Sequence, residues 1–272
     1  MAVTAWLKDM ARSVIFSPAM TKLCEDRPVV RRLYRGWRRT HPFDRENGTD
    51  TSGFVSVRSL HVAPALQTKI NFYGPSQPSI FRKAIAALGP VDEYAFIDLG
   101  CGKGRCLLVA TEFPFREVIG IELSTGLAEI ARKNIARMKG KYPGRTAARV
   151  VEGNVLDFPF PEGKLIFYNY HAFRAEIIKS LVTRLENSAA ENTPHLFFVY
   201  YNAVHSACLD ASSQFQRFFA DTISCGPAEK DCGFPEDVIV IWQSRRGAIP
   251  TPHQRVDRRV LSDGDMVCHL ES

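Results

Sequence analysis

Blocks of apolar residues alternate with stretches in which apolar positions recur at helical spacing, and this alternation starts near residue 80. Residues 80–88 read as a helix with Ser79 as its N-cap, stopped by Gly89-Pro90. The run Tyr94-Ala95-Phe96-Ile97 then predicts a strand ending in Asp98. Glycines follow at 100, 102 and 104, and residues 106–110 open a helix. Residues 117–121 are the second strand, ending at Glu122, and Ser124 caps a helix bearing Leu127, Ile130, Ala131 and Ile135 on one face. Residues 148–152 and 164–168 give the third and fourth strands, the latter followed by a helix through Ile177, Leu181 and Leu185. Residues 195–201, 215–223 and 238–244 bring the strands to seven, with the last inserted antiparallel. Strand and helix in such alternation predict an α/β fold, Rossmann-like, with a seven-stranded mostly parallel sheet and helices on both faces.

Ahead of this unit the pattern changes. Trp6, Met10, Val14 and Ile15 share one face of a short amphipathic helix, and residues 42–64 are rich in turn formers, with Asn47-Gly48 and Ser52-Gly53. The expected organisation is a basic N-terminal helical extension and connection over residues 1–65, a ligand-binding domain over 66–246, and a polar tail over 247–272. Of the formal charge of +6, most sits in the extension, where eleven cations face six anions through Leu60. The segment R-R-L-Y-R-G-W-R-R, residues 31–39, interleaves arginines with Tyr34 and Trp37. It reads either as a solvated helix face with two apolar anchors or as a surface for phosphates and stacked bases.

Composition excludes several classes. No stretch approaches the ~20 apolar residues of a membrane span. Residues 1–19 lack the uninterrupted apolar core of a secretory signal. Seven scattered cysteines without a C-x-x-C pair indicate neither a metal site nor a disulfide framework, so reduced thiols and a cytoplasmic location are expected.

The chemistry gathers at strand ends. In an open α/β sheet, ligands lie beyond the carboxyl ends of the strands, and here those ends carry Asp98, Glu122, Asn154 and Asn169. Dinucleotide binding asks for G-x-G-x-x-G, but the third glycine's position is Arg105. Asp98 two residues before Gly100 suits an ammonium group, and Gly100 and Gly102 let an amino-acid moiety approach the backbone. That ligand is expected to be S-adenosyl-L-methionine. Glu122, about twenty residues past the turn, stands where a carboxylate takes ribose hydroxyls. Asn154 offers a carbonyl to the adenine amino group, with Val155 packing beside the ring. Tyr73 and Ser76 are expected to close over the cofactor and touch its carboxylate.

D-L-G-C-G-K-G, with V-I-G-I-E and E-G-N-V, resembles the class I S-adenosylmethionine-dependent methyltransferases over roughly residues 73–244. More narrowly, F-D-R-E-N-G-T-D-T-S-G, residues 43–53, with F-Y-N-Y-H-A-F and Y-Y-N-A-V-H, is similar to a little-characterised bacterial methyltransferase-domain group. The glycine motif also looks like that of non-SET protein-lysine methyltransferases. The resemblance implies methyl transfer to a protein amine or a small molecule, with RNA methylation and non-catalytic cofactor binding as alternatives. Where such relatives have Asn-Pro-Phe after the fourth strand, this chain has Asn169, Tyr170 and His171. Asn169 is expected to hold an acceptor amine and also to border the cofactor, while Tyr168, Tyr170 or His171 assists deprotonation.

Overall fold

Why the central strands are buried on both faces follows from the residues themselves: Y-A-F-I-D-L and L-F-F-V-Y-Y leave no polar face for water until the strand end. In a computed structural model, residues 40–191, 193–250, 260–261 and 267–268 are described. The amphipathic helix expected over residues 1–19 and the arginine cluster at 31–39 lie outside them.

Seven strands form one sheet: β1 (Tyr94–Leu99), β2 (Glu117–Glu122), β3 (Ala148–Glu152), β4 (Lys164–Tyr170), β5 (Leu196–Tyr201), β6 (Phe215–Ser224) and β7 (Glu236–Ser244). Their spatial order is β3-β2-β1-β4-β5-β7-β6. The first five are parallel, and β7 runs antiparallel between β5 and β6. The order reverses at β1, which begins in the middle of the sheet and so creates a crevice at its carboxyl end.

The α-helices among the described residues, numbered in chain order, are α1 (Pro42–Asn47), α2 (Pro64–Gln67), α3 (Pro78–Ala86), α4 (Arg105–Ala110), α5 (Thr125–Lys141), α6 (Ala175–Glu191) and α7 (Ala207–Asp210). Strand alternation divides the core into two layers. Phe96, Ile166, Tyr168, Phe197 and Val199 pack with α3 and α4, while Ile97, Phe167 and Phe198 pack with Ile178, Leu181 and Leu185 of α6. The fold is the Rossmann-like α/β sheet that the pattern predicts.

Several local readings change. The α3 N-cap is Gln77, with Pro78 in the first turn, where its missing N–H costs nothing. Ser79 instead donates its hydroxyl to Glu229 (2.5 Å). Ser124 holds the α5 N-cap position, but its hydroxyl bonds Leu60 O (2.9 Å) rather than its own helix. The turn-rich stretch at 42–64 contains α1, capped by His41, whose Nδ1 accepts from Phe43 N (3.0 Å). The polar tail includes a two-residue pairing of β8 (Val260–Leu261) with β9 (Val267–Cys268). Among the described residues no helix is long and apolar enough to cross a membrane.

Candidate cofactor site

Asp98 emerges at the end of β1, and the chain then reverses through Gly100 and Gly102, whose φ angles are +76° and +56°. Glycine takes such angles with the least strain, and here space forbids a side chain as well. A Cβ on Gly102 would lie 2.2 Å from a ring carbon of Tyr73, and one on Gly100 would lie 2.9 Å from the Ala172 Cβ. Glu122 ties this turn to β2. Its Oε2 accepts from Gly102 N and its Oε1 from Ser124 N, both at 2.8 Å. Burial, then the neighbouring Glu122 charge, pushes the Asp98 carboxyl well above the usual carboxylate range. Burial raises Glu122 too, opposed by the amides that bond it. Two buried acids side by side favour a cationic ligand group.

Residues 41–76 form a strap clamped onto the turn. Asp44 accepts from Thr49 Oγ1 (2.7 Å), Thr51 N (3.0 Å), Thr51 Oγ1 (2.6 Å) and Ser52 Oγ. These bonds hold its carboxyl below the usual range despite burial, which alone would raise it. Arg105 Nε donates to Thr51 Oγ1 (2.7 Å), and Lys103 Nζ donates to Asp50 Oδ1 (2.7 Å) and Ser52 O (2.9 Å). Asn134 of α5 bonds Asp50 N and O and Lys103 O. Val55 pairs with Tyr73, whose hydroxyl donates to Thr51 O (2.7 Å). Sequence alone does not single out Asp44, Thr51, Arg105 and Asn134 as site residues. For Asp44 and Thr51 the signal is the F-D-R-E-N-G-T-D-T-S-G motif, whose turn formers read as a connection although Asp50, Thr51 and Ser52 accept hydrogen bonds from Lys103 and Arg105.

Strap and strand ends enclose two adjoining compartments. One is bordered by Gly102, Glu122, Leu127, Asn154, Val155 and Ile177 under Leu60 to Tyr73. The other is bordered by Ser76, Asp98, Arg105, Cys106, Tyr168 and Tyr170. They meet at Phe72, Tyr73, Gly100 and Ala172. Thus Tyr73, Ser76, Asp98, Gly100, Gly102, Glu122, Asn154, Val155 and Tyr170 come together.

Individual roles shift with their hydrogen bonds. Tyr73 spends its hydroxyl on Thr51 O and presents its ring, and Ser76 Oγ bonds Tyr168 Oη (2.7 Å). Asn154 Oδ1 accepts from Leu156 N (3.1 Å), which shapes its own turn and leaves one lone pair.

Asn169 and His171 line neither compartment. Asp98 pairs with Tyr168 across the β1–β4 register, so Asn169 points to the opposite face of the sheet. Asn169 belongs to β4 rather than following it, and its Oδ1 accepts from Ala172 N (3.2 Å). It thereby holds the loop that presses Ala172 and Phe173 toward Gly100. His171 sits at a left-handed corner (φ +40°), where its carbonyl accepts from Asn71 Nδ2 (2.8 Å). Burial, and then His205, lower its pKa to about 3, so its imidazole is a poor proton acceptor at neutral pH.

Residues 96–188 match a family described as a methyltransferase domain. A demethylmenaquinone methyltransferase of Symbiobacterium thermophilum is 26% identical over 124 residues, which are 45% of this chain and 44% of that protein. The chain therefore spans less than half the length of the curated relative it matches. Among solved structures, an RNA methyltransferase from Salinibacter ruber in complex with S-adenosyl-L-homocysteine is 16% identical. The match covers 67% of this chain and all of that one, with a TM-score of 0.43. TrmN from Thermus thermophilus is 15% identical over 63% of this chain and 50% of that one, with a TM-score of 0.45.

Proposed function

We propose that this chain, which carries a class I methyltransferase domain, binds S-adenosyl-L-methionine and transfers its methyl group to a protein amine or a small molecule. The observation that carries the reading is the meeting of Asp98, Glu122 and the Gly100–Gly102 turn in two adjoining compartments at the carboxyl ends of β1 and β2. Those residues fit the cofactor. Asp98 takes the ammonium, Glu122 keeps lone pairs for ribose hydroxyls, and Val155 and Ile177 supply an apolar wall for adenine. The sulfonium of the bound cofactor supplies an activated methyl group.

What the protein contributes is alignment and exclusion of water. Ala172 and Phe173, held by Asn169, press on Gly100 from one side, and the strap covers the turn from the other. Tyr170, stacked on Tyr201 with ring centroids 4.2 Å apart, gives the second compartment a rigid aromatic wall. We assign acceptor contact to Tyr170, and to Asn169 the positioning of the loop, in place of direct contact with an acceptor amine. By the same reading residues 66–246 are the catalytic unit and residues 1–65 an extension whose final part closes the site. The test is incubation with methyl-labelled cofactor and a fractionated cell extract, followed by assay of S-adenosyl-L-homocysteine and of the labelled fraction. Label in protein or small molecules is expected. Label in RNA alone overturns the acceptor class, and tight cofactor binding with no product overturns catalysis.

A further inference from the structure

Arg105 is the residue that separates this glycine turn from a dinucleotide-binding one, and it is the first residue of α4. It is only 3% exposed. Its Nε donates to Thr51 Oγ1 (2.7 Å), its Nη1 to Ser76 O (3.3 Å) and its Nη2 to Ser52 Oγ (3.3 Å). A guanidinium carries five N–H groups, so two have no acceptor among the described residues. Asp44 does not take them. Its Oδ2 lies 3.6 Å from Nη2, beyond hydrogen-bond reach, and its oxygens already accept from Thr49, Thr51 and Ser52. Arg105 borders the same compartment as Asp98.

We propose that Arg105 binds the carboxylate of the cofactor's amino-acid end, while Asp98 takes its ammonium. The compartment is thus matched to a zwitterion. The inference rests on the cofactor reading above and adds a specificity determinant to it. A buried cation with unfilled donors is costly, and a carboxylate that fills them makes charge-assisted bonds in a water-poor site. A ligand lacking the carboxylate leaves those donors unpaired and is rejected for that reason.

The experiment is calorimetric titration with S-adenosylmethionine and with its decarboxylated analogue, which keeps sulfonium and ammonium and lacks only the carboxylate. The wild type is expected to prefer the carboxylated ligand about ten- to hundredfold. In Arg105→Gln that preference collapses toward one, through loss of affinity for S-adenosylmethionine alone. Ser52→Ala, which removes one Arg105 partner without touching the two unfilled donors, is expected to lower the unfolding temperature and keep the preference. Should Arg105→Gln fail to fold, Arg105→Lys retains a cation near Asp44 and is expected to reduce the preference severalfold. Equal loss of both ligands in the Arg105 variants, or an unchanged preference, overturns the assignment. If the wild type binds neither ligand, the cofactor reading itself fails and this inference with it.

Discussion

The contact between Tyr73 and the glycine turn yields a prediction with a magnitude. In Gly102→Ala the new Cβ meets two Tyr73 ring carbons at 2.2 and 2.4 Å, where carbon atoms prefer about 3.5–4.0 Å. The ring must therefore withdraw by more than about 1 Å, which breaks its hydroxyl bond to Thr51 O. Backbone strain at φ +56° adds about 1–2 kcal/mol for a residue with a Cβ. Displacing the packed ring and losing its hydrogen bond add roughly 1–3 kcal/mol. The total, about 2–5 kcal/mol, corresponds to a fall of roughly 5–15 °C in unfolding temperature for a domain of this size. Thermal unfolding of wild type, Gly102→Ala, Tyr73→Ala and the double variant separates the parts. With the ring gone, Gly102→Ala should cost only the backbone share. A Gly102→Ala protein within 1–2 °C of wild type (about 0.5 kcal/mol), or the same loss with and without Tyr73, refutes the close approach.

Other consequences follow from charge. Asp98 is raised in the folded protein, so the folded state binds the proton more tightly and stability falls as pH rises past the unfolded carboxylate range. Asp98→Asn should therefore gain stability over wild type increasingly from about pH 4 to 8 by denaturant unfolding, while losing at least about tenfold in S-adenosylmethionine affinity. His41 has the opposite sign. Burial, then Arg105, lower it to about 4, so its contribution is complete above pH 6.5 and lost as pH falls toward 4. His41→Asn, which keeps a capping oxygen, should remove up to about 3 kcal/mol of acid destabilisation in that window. Asp44→Ala leaves Arg105 buried without its nearest counter-charge and should cost about 3–5 kcal/mol in urea unfolding. His171→Asn, tolerant of the left-handed corner, should leave turnover within about threefold because an imidazole of such low pKa is not the base.

Much of this was legible because strand ends are legible. An apolar run that stops at Asp98 or Glu122 reveals both the strand and the residue it delivers, since no water-exposed alternative suits residues buried on both faces. Face was harder to read. Asn169 follows Tyr168 by one position, and the period of two sends it to the other side of the sheet, a fact fixed only by the register of β4 on β1. The strap was harder still. Asp44 and Thr51 act across more than fifty residues on Arg105, and hydrogen bonds at that separation leave no periodicity. Turn formers such as Asn47-Gly48 and Ser52-Gly53 read as loop because their local chemistry is loop chemistry. The second role of Thr49, Thr51 and Ser52 in that stretch, as donors to the buried Asp44 carboxylate, appears only when the chain is folded. Ser79 illustrates the same competition, since a capping residue by type was claimed by Glu229 from the loop before β7.

The central claim is that the crevice beside β1 and β2 holds S-adenosylmethionine through Asp98 and Glu122. Calorimetric titration of wild type, Asp98→Ala and Glu122→Ala with S-adenosylmethionine tests it most directly. One molecule bound per wild-type chain, with affinity lowered at least about tenfold in each folded variant, is the predicted result. No binding to the wild type, or equal affinity in all three proteins, contradicts the account.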